Sequence, residues 1–283
     1  MDRREFMRRL GATLTTATAG RGALLGAATM PRRLTRIGLQ LYSVREAMRE
    51  DPDRTMAAIR EHGYTDVELL WTFGNFGRTP EQVAATLRGT GLRAPSAHID
   101  PEILLRPMGG ALEWAATLRH EYLIVPSLPA ETRTSLDAWR RWADRFNRAG
   151  EAVRRIGAWL AFHNEPSHMT PIDDVVPYDL FIERTEPRYV RLQLDVGNMV
   201  MGGGDPMAYL QKYAARYWSF HLKDVVEDRS RDTELGGGTI DFRGLLAAIP
   251  DVTRKLCFVE QEGAADPLAS ARANFAYLRN LEF

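Results

Sequence analysis

Two short segments in the second half of the chain decide the fold: residues 190–195, which read VRLQLD, and residues 217–221, which read YWSFH. In both, apolar and polar side chains alternate, which is the period-two pattern of a β-strand with two different faces. Between them, residues 205–214 open with Asp-Pro and predict a helix, because aspartate caps helices and proline suits the first turn. A strand, a helix and a strand in this order predict a parallel pair with a right-handed crossover.

The same unit repeats outward from these segments along the rest of the chain. Strands are predicted at 36–43, 65–70, 92–98, 122–126, 159–164, 189–195, 217–221 and 256–260. Helices are predicted near 51–62, 80–89, 109–119, 135–156, 177–185, 205–214, 242–249 and 266–280. This alternation favours an α/β fold of the (β/α)8 TIM barrel type, as a single domain over residues 34–283. A doubly wound open sheet would need a glycine-rich loop after the first strand, and residues 42–45 contain no glycine.

The composition agrees with one large core. The chain has 283 residues, of which 45% are hydrophobic and 26% are charged. These values exclude a disordered chain and a protein of many membrane spans. The single cysteine, Cys257, excludes an intramolecular disulfide framework and a zinc site built from several cysteines.

The net charge of zero divides into two segments of opposite sign. Residues 1–33 hold seven arginines against two acidic residues, a net charge of +5, so residues 34–283 carry −5. Residues 2–8 (DRREFMR) resemble a twin-arginine export signal, and the mildly apolar stretch 10–30 is too polar for a stable membrane span. We therefore expect recognition by the twin-arginine export machinery and a periplasmic location. The alternative is a disordered basic tail on a cytoplasmic protein.

Strand parity predicts where a functional site lies. Side chains along a barrel strand alternate between the interior and the surrounding helices. If the apolar set of each strand faces the helices, seven of the eight predicted strands end with a polar residue pointing inward. The inward set comprises Gln40, Glu68, His98, His163, Asp195, His221 and Glu260. Buried polar groups without partners cost about 1–3 kcal/mol each, and the carboxyl ends of barrel strands are where active sites form, so this ring predicts a site.

Three members of the ring predict a metal centre. Asp195, His221 and Glu260 come from consecutive strands, so their side chains are expected to converge at the barrel mouth. Two carboxylates and an imidazole suit a divalent ion such as manganese, cobalt, magnesium or zinc. His163 on the fifth strand is the expected fourth ligand. An isolated histidine is more often a hydrogen-bonded core residue, which is the expectation for His120.

The chain resembles the sugar phosphate isomerase/epimerase family of xylose isomerase-like barrels. The resemblance rests on segments GLQLYSVR (38–45), SAH (96–98), FHN (162–164), LDVGN (194–198), HLKD (221–224), ELGGGTIDF (234–242) and FVEQ (258–261). It implies one divalent metal held by Asp195, His221 and Glu260. In ketose epimerases of this type the strand-five ligand is a glutamate that also acts as an acid or base. Here that position is His163, and Glu165 follows two residues later.

The expected chemistry is metal-assisted proton transfer next to a carbonyl on a sugar or sugar-like polyol, as in an isomerase or epimerase. Glu260 or Glu165 would be the base, and Lys223 and His98 would position or polarise substrate oxygens. The residues expected to bind the remaining hydroxyl groups are Gln40, Glu68 and Asn164. Trp71 and Phe73, after the second strand, are expected to pack against a sugar face or to anchor a hydrophobic loop.

Three alternatives stand beside this hypothesis. One is a lyase or hydrolase of keto-glycosides, which would use the same proton abstraction and expel the neighbouring oxygen. Another is a periplasmic sugar-binding barrel without activity, although such a protein has no need of Asp195, His221 and Glu260. The third is the endonuclease branch of the same barrels, which needs more metal ligands and a basic surface. The charge of −5 on residues 34–283 argues against that branch and against a nucleic-acid partner.

Overall fold

The computed structural model describes residues 32–283, which form a closed barrel of eight parallel strands. The barrel strands are β1 (Gly38–Gln40), β2 (Asp66–Leu70), β3 (Arg93–His98), β4 (Tyr122–Val125), β5 (Trp159–His163), β6 (Val190–Asp195), β7 (Tyr217–Leu222) and β10 (Leu256–Val259). Each strand pairs with its neighbour in chain order, and β1 closes the barrel against β10. Two short strands, β8 (Asp224–Val225) and β9 (Asp232–Thr233), form an antiparallel hairpin after β7.

Helices fill the connections between the barrel strands. They are α1 (Arg45–Glu50), α2 (Pro52–His62), α3 (Pro80–Thr90), α4 (Gly109–Leu118), α5 (Leu136–Arg155), α6 (Pro177–Arg184), α7 (Val196–Met201), α8 (Pro206–Tyr213), α9 (Phe242–Ala248) and α10 (Pro267–Asn280). Short 3-10 helices lie at Leu41–Val44, Trp71–Phe73, Pro101–Leu105, Ala130–Thr134, Pro166–Met169 and Val252–Arg254. The predicted (β/α)8 barrel is confirmed.

Sequence capping signals explain where several helices begin. Asp205 accepts a hydrogen bond from the Met207 N–H at the start of α8, and Asp266 accepts one from the Ala269 N–H at the start of α10. In both, the proline that follows the cap occupies the first turn, where its missing N–H costs nothing. The first strand differs from its prediction: it ends at Gln40, whose side chain accepts from the Tyr42 N–H and starts a 3-10 turn.

The amino-terminal end of the barrel interior is filled by large side chains. The guanidinium of Arg191 lies 3.5 Å from the centre of the Trp159 ring and 3.8 Å from that of Trp218, so it is held between two aromatic faces. Strict alternation along β7 predicts that Trp218 shares the outer face with Phe220, opposite Ser219 and His221, and this prediction is wrong for Trp218. The register between β6 and β7 shifts where Leu192 pairs with Tyr217, and this bulge turns Trp218 inward. Because these side chains fill the amino-terminal end, the open mouth of the barrel lies at the carboxyl end of the strands.

The predicted leader, residues 1–33, lies outside the described residues except for its last two. Arg32 exchanges backbone hydrogen bonds with Phe283, and Arg33 forms a salt bridge with Glu282. These two arginines therefore pair with the carboxyl terminus of the barrel. Among residues 32–283, none of the helices combines the length and the apolar character that crossing a membrane requires.

Candidate active site

The carboxyl ends of four barrel strands bring four metal-ligand side chains together. His163 ends β5, Asp195 ends β6 opposite His221 of β7, and Glu260 follows β10. All four side chains are buried. One ligand atom from each lies within 4.8 Å of the others. The strand geometry thus gathers the predicted ligand set at the barrel mouth.

Local hydrogen bonds direct one free atom of His163 and one of Asp195 toward each other. Asp195 caps helix α7 by accepting from the Asn198 N–H through Oδ1 at 2.8 Å, which leaves Oδ2 available. His163 contacts the Pro126 carbonyl through Nδ1 at 3.0 Å, so Nδ1 is the donor and Nε2 carries the lone pair. Within the described residues, His163 Nε2 and Asp195 Oδ2 lie 3.4 Å apart, and neither makes a hydrogen bond.

These orphaned atoms are the evidence that a metal fits the site. Buried polar atoms are costly unless they have partners, and a cation between an imidazole nitrogen and a carboxylate oxygen supplies one. His221 Nδ1 lies 2.9 Å from Glu260 Oε2 and 3.8 Å from Asp195 Oδ2. Two imidazoles and two carboxylates suit a divalent first-row metal ion. The residues present therefore fit such an ion.

A carboxylate below the four-residue cluster holds His221 in place. Glu68 is fully buried, and its Oε1 lies 2.6 Å from His221 Nε2. It also accepts hydrogen bonds from Gln40 Nε2 (2.6 Å), Ser96 Oγ (2.5 Å) and Gln193 Nε2 (2.9 Å). Histidine ligands commonly donate their second N–H to a carboxylate, which fixes ring orientation and strengthens the ligand. Glu68 fills that role for His221.

Opposite charges stabilise each other inside the site. Burial opposes the charge on His221, but the Glu260 and Glu68 carboxylates outweigh it and hold the His221 pKa well above its usual range. Burial likewise opposes ionisation of Glu68, and His98 and His221 overcome it to lower the Glu68 pKa. The buried acids and His221 form a charged hydrogen-bonded network.

Lys223 adds a buried cation beside the cluster. Its Nζ lies 3.1 Å from both Asp195 Oδ2 and Glu260 Oε2, and both contacts are ion pairs without hydrogen-bond geometry. Nζ donates to Asn198 Oδ1 at 3.1 Å and to Glu262 Oε1 at 2.6 Å. Burial disfavours the ammonium, but Asp195, Glu260 and Glu262 outweigh it and hold the Lys223 pKa well above its usual range. The side chain therefore stays protonated.

A cavity of about 340 Å³ opens above the cluster. Phe73 lines it with Tyr42, whereas Trp71 packs instead against Trp114. Glu165 is half-buried in the cavity wall, and burial raises its pKa to about 7 against the opposing charges of His163 and Lys223. A carboxylate with such a pKa is suited to taking and returning protons near neutral pH.

The predicted substrate-binding residues lie at two depths: one lines the cavity, and the others lie below it. His98 lines the cavity, with Nε2 3.0 Å from Gln193 Oε1. Gln40, Glu68 and Asn164 have no exposed surface and lie below the cavity. Asn164 exchanges two hydrogen bonds of 2.9 Å with the backbone of Asp195, so it positions that ligand. These three residues support the cluster rather than face the cavity.

Four site residues were absent from the predicted set. Ser96, Gln193, Asn198 and Glu262 contact Glu68 or Lys223. Parity places Gln193 in the interior, and a comparison of neighbouring strands could have paired it with Glu68. Glu262 lies beyond the last strand, where alternation gives no signal.

A buried aspartate organises the hairpin that follows Lys223. Asp224 accepts hydrogen bonds from four backbone N–H groups, those of Val225, Gly236, Gly238 and Ile240, at 2.9–3.1 Å. A side chain at Gly238 would collide with this carboxylate, because its Cβ would lie 2.3 Å from Asp224 Oδ1. The glycine run 236–238 is therefore a fitted turn rather than a flexible loop.

Comparison with known proteins agrees with this architecture. Residues 56–281 match the family described as xylose isomerase-like TIM barrel. The chain belongs to that family. Among curated proteins it is similar to inosose dehydratases from Lacticaseibacillus casei, 28% identical over 133 residues, and from Geobacillus kaustophilus, 28% identical over 159 residues. The matches cover 41% and 50% of this chain and 44% and 49% of those relatives. The chain thus spans about half the length of the curated relatives it matches.

Solved structures share the fold of this family member. A sugar phosphate isomerase/epimerase from Parabacteroides distasonis has a TM-score of 0.75 and 24% identity, covering 87% of this chain and 98% of that one. The IOLI protein with a bound zinc atom has a TM-score of 0.66 and 14% identity, covering 84% and 95%. An L-ribulose 3-epimerase has a TM-score of 0.63 and 17% identity, covering 86% and 92%.

Proposed function

We propose that this protein is a divalent-metal-dependent enzyme that removes a proton next to the carbonyl of a keto-sugar or keto-polyol. The observation that carries the proposal is the pair of orphaned atoms, His163 Nε2 and Asp195 Oδ2, at the foot of a cavity that Glu165 also lines. The names of the curated relatives, inosose dehydratases, and the zinc in one related structure support it.

Each residue has a role in the proposed reaction. His163, Asp195, His221 and Glu260 would hold the metal. When bound, the ion would draw electron density from the substrate carbonyl and so acidify the neighbouring C–H. Glu165 would accept that proton, because it lines the cavity and its pKa lies near neutral.

The first candidate outcome is elimination, which makes the protein a lyase. Loss of the oxygen on the next carbon needs a base and an acid, and Glu165 would serve as both, because the proton that it takes from carbon can pass to the leaving oxygen. The leaving oxygen would depart as water or, in a keto-glycoside, as an alcohol. The second candidate is isomerisation or epimerisation, and it is favoured by Glu262, a second carboxylate on the cavity wall that is not one of the proposed metal ligands. A carboxylate from a different loop of the barrel mouth can return the proton at a different position.

Deuterium exchange tests the shared step. The metal-stripped protein would be reloaded with manganese or zinc and incubated with an inosose in D₂O, and proton NMR would follow the C–H next to the carbonyl. We expect exchange only with metal, and loss of exchange in Glu165→Gln, which keeps the metal. Glu121→Gln, the same change just before β4 at the other end of the barrel, is the matched control. Equal exchange by the metal-free protein would contradict the proposal.

Product analysis separates the two candidates. Mass spectrometry that shows loss of one water identifies a dehydratase, and a product of unchanged mass identifies an isomerase or epimerase. Tight sugar binding by a protein that binds no metal would instead identify a binding protein.

We propose separately that residues 1–33 direct export by the twin-arginine route. The support is the paired arginine motif at residues 2–8. Cell fractionation of wild type and of an Arg3→Lys/Arg4→Lys variant tests it. We expect the variant to accumulate in the cytoplasm, and an unchanged distribution would refute the proposal.

A further inference from the structure

The charges around the cavity restrict the kind of ligand it can take. Three carboxylates, those of Glu165, Glu260 and Glu262, line the cavity. Among the described lining residues there is no lysine or arginine. The cation below them, Lys223, has 1% of its side chain exposed. A ligand entering this cavity therefore meets carboxylates before it meets a positive side chain.

Glu262 forms an ion pair with Lys223 and shields this cation from a ligand in the cavity. Its Oε1 lies 2.6 Å from Lys223 Nζ, while 43% of its own side chain is exposed to solvent. Its backbone is fixed from two sides: the N–H donates to Asp232 Oδ2 at 2.5 Å, and the carbonyl accepts from Arg45 at 3.2 Å. The carboxylate is thus presented at the mouth by a fixed backbone.

Two arginines that contact the cavity wall, Arg45 and Arg49, already have other partners. Arg45 donates to the carbonyls of Tyr42 and Glu262 and lies 4.2 Å from the centre of the Tyr42 ring. Arg49 pairs with Glu46 and lies 5.2 Å from the centre of the Phe73 ring. Both arginines contact aromatic residues of the wall without lining the cavity themselves. Recognition of a phosphate normally uses free arginine or lysine side chains, which this wall lacks.

We propose that Glu262 is a specificity-determining residue that restricts the site to uncharged polyols and excludes phosphorylated ones. A phosphate ester carries a charge of about −1.5 to −2 near neutral pH, so it is repelled by the mouth carboxylates. An uncharged polyol can instead use the same carboxylates as hydrogen-bond acceptors for its hydroxyl groups. This inference rests on the proposed function for its substrate class, but the role of Glu262 can be tested separately.

The test uses calorimetry to compare the binding of three probes to the metal-loaded protein. The probes are inorganic phosphate and a matched pair consisting of an inosose and its phosphate ester. For wild type we expect the inosose to bind at least about tenfold tighter than the ester, because like charges in close contact are strongly unfavourable. Glu262→Gln removes one carboxylate from the mouth and the shortest carboxylate contact of Lys223, while Asp195 and Glu260 remain beside the ammonium. We therefore expect the affinity for the ester and for phosphate to rise about tenfold or more.

Controls separate the effect of the Glu262 charge on phosphate binding from other effects of a substitution. Glu227→Gln makes the same charge change on an exposed residue of the hairpin and should leave the ratio of affinities unaltered. The gain in Glu262→Gln should shrink at high salt, as a screened interaction does. Glu262→Ser is the second variant, should the amide disturb folding.

Three outcomes overturn the inference: a wild-type protein that binds the ester as tightly as the inosose, an unchanged ratio in both Glu262 variants, or an equal gain in Glu227→Gln. Failure of the proposed function looks different, because then the metal-loaded protein does not exchange the inosose C–H next to the carbonyl. Inorganic phosphate still reports on Glu262 in that case, and a gain of phosphate binding by the variants supports the inference.

Discussion

Replacing Glu68 by glutamine tests whether this residue orients a metal ligand. Glutamine keeps an oxygen that can accept from His221 Nε2, now 2.6 Å from Glu68 Oε1, but it removes the charge. A hydrogen bond to a charged group contributes about 1.5–3 kcal/mol, and a neutral one about 0.5–1.5 kcal/mol. The variant should therefore lose about 1–1.5 kcal/mol of support for the ligand. That corresponds to a metal affinity weakened roughly fivefold to tenfold.

Titration calorimetry with manganese or zinc, below the unfolding temperature of both proteins, measures this change. Ser96→Ala is the matched control, because it removes another hydrogen bond to Glu68 (2.5 Å) and leaves His221 untouched. We expect Ser96→Ala to change metal affinity by less than about twofold, since support from a distant neutral donor is small. A folded Glu68→Gln that binds metal as tightly as wild type would refute the orienting role. Equal losses in both variants would indicate general loosening of the network.

Three further predictions concern the barrel itself. Gly38→Ala should lower the free energy of unfolding by about 1–3 kcal/mol in urea titration, because the new Cβ would lie 2.3 Å from the buried Phe258 ring. Gly89→Ala, in helix α3 with open space around it, should instead add about 0.5–1 kcal/mol, and equal effects would contradict the steric argument. Burial lowers the His168 pKa from 6.5 to about 3, so the unfolded chain takes up a proton first as the pH falls and stability is lost below about pH 6.5. Between about pH 7 and about pH 5, the free energy of unfolding of His168→Asn should therefore fall by about 2 kcal/mol less than that of wild type. If the two proteins lost stability in parallel over this range, His168 would be excluded as the cause. Burial raises the Cys257 pKa to about 12, so a thiol reagent should label this cysteine only on unfolding, and rapid labelling of the native protein would show that it is accessible.

The strand-end ring was predictable because a barrel strand obeys a simple alternation. In β6, every second side chain faces inward, so Arg191, Gln193 and Asp195 share a face whatever their neighbours are. The same rule places His163 and His221 at the mouth. Parallel strands end at one edge, so alternation and strand order together predict the cluster without any knowledge of distances.

The alternation rule could not predict how deep an inward side chain lies or where the strands are irregular. Alternation puts Gln40 and Glu68 inside but does not say that a layer of ligands covers them, because depth depends on barrel tilt and strand stagger. Trp218 turned inward because one bulge shifted the register of β7. Glu262 lies beyond its strand, and its position depends on Asp232 of the hairpin, thirty residues earlier in the chain. Contacts of this kind depend on tertiary structure alone.

In the proposed function, the exchange of ligand and base on the fifth strand would still allow this site to transfer protons. In the epimerases that the sequence resembles, one glutamate serves as both ligand and base, and a base that also binds a metal has its basicity lowered. Here His163 takes the ligand position, with Nδ1 bound to the Pro126 carbonyl and Nε2 facing Asp195. The carboxylate moves two residues along to Glu165, outside the ligand set, where burial raises its pKa to about 7. In the proposed reaction, binding the metal and taking the proton are therefore done by separate side chains.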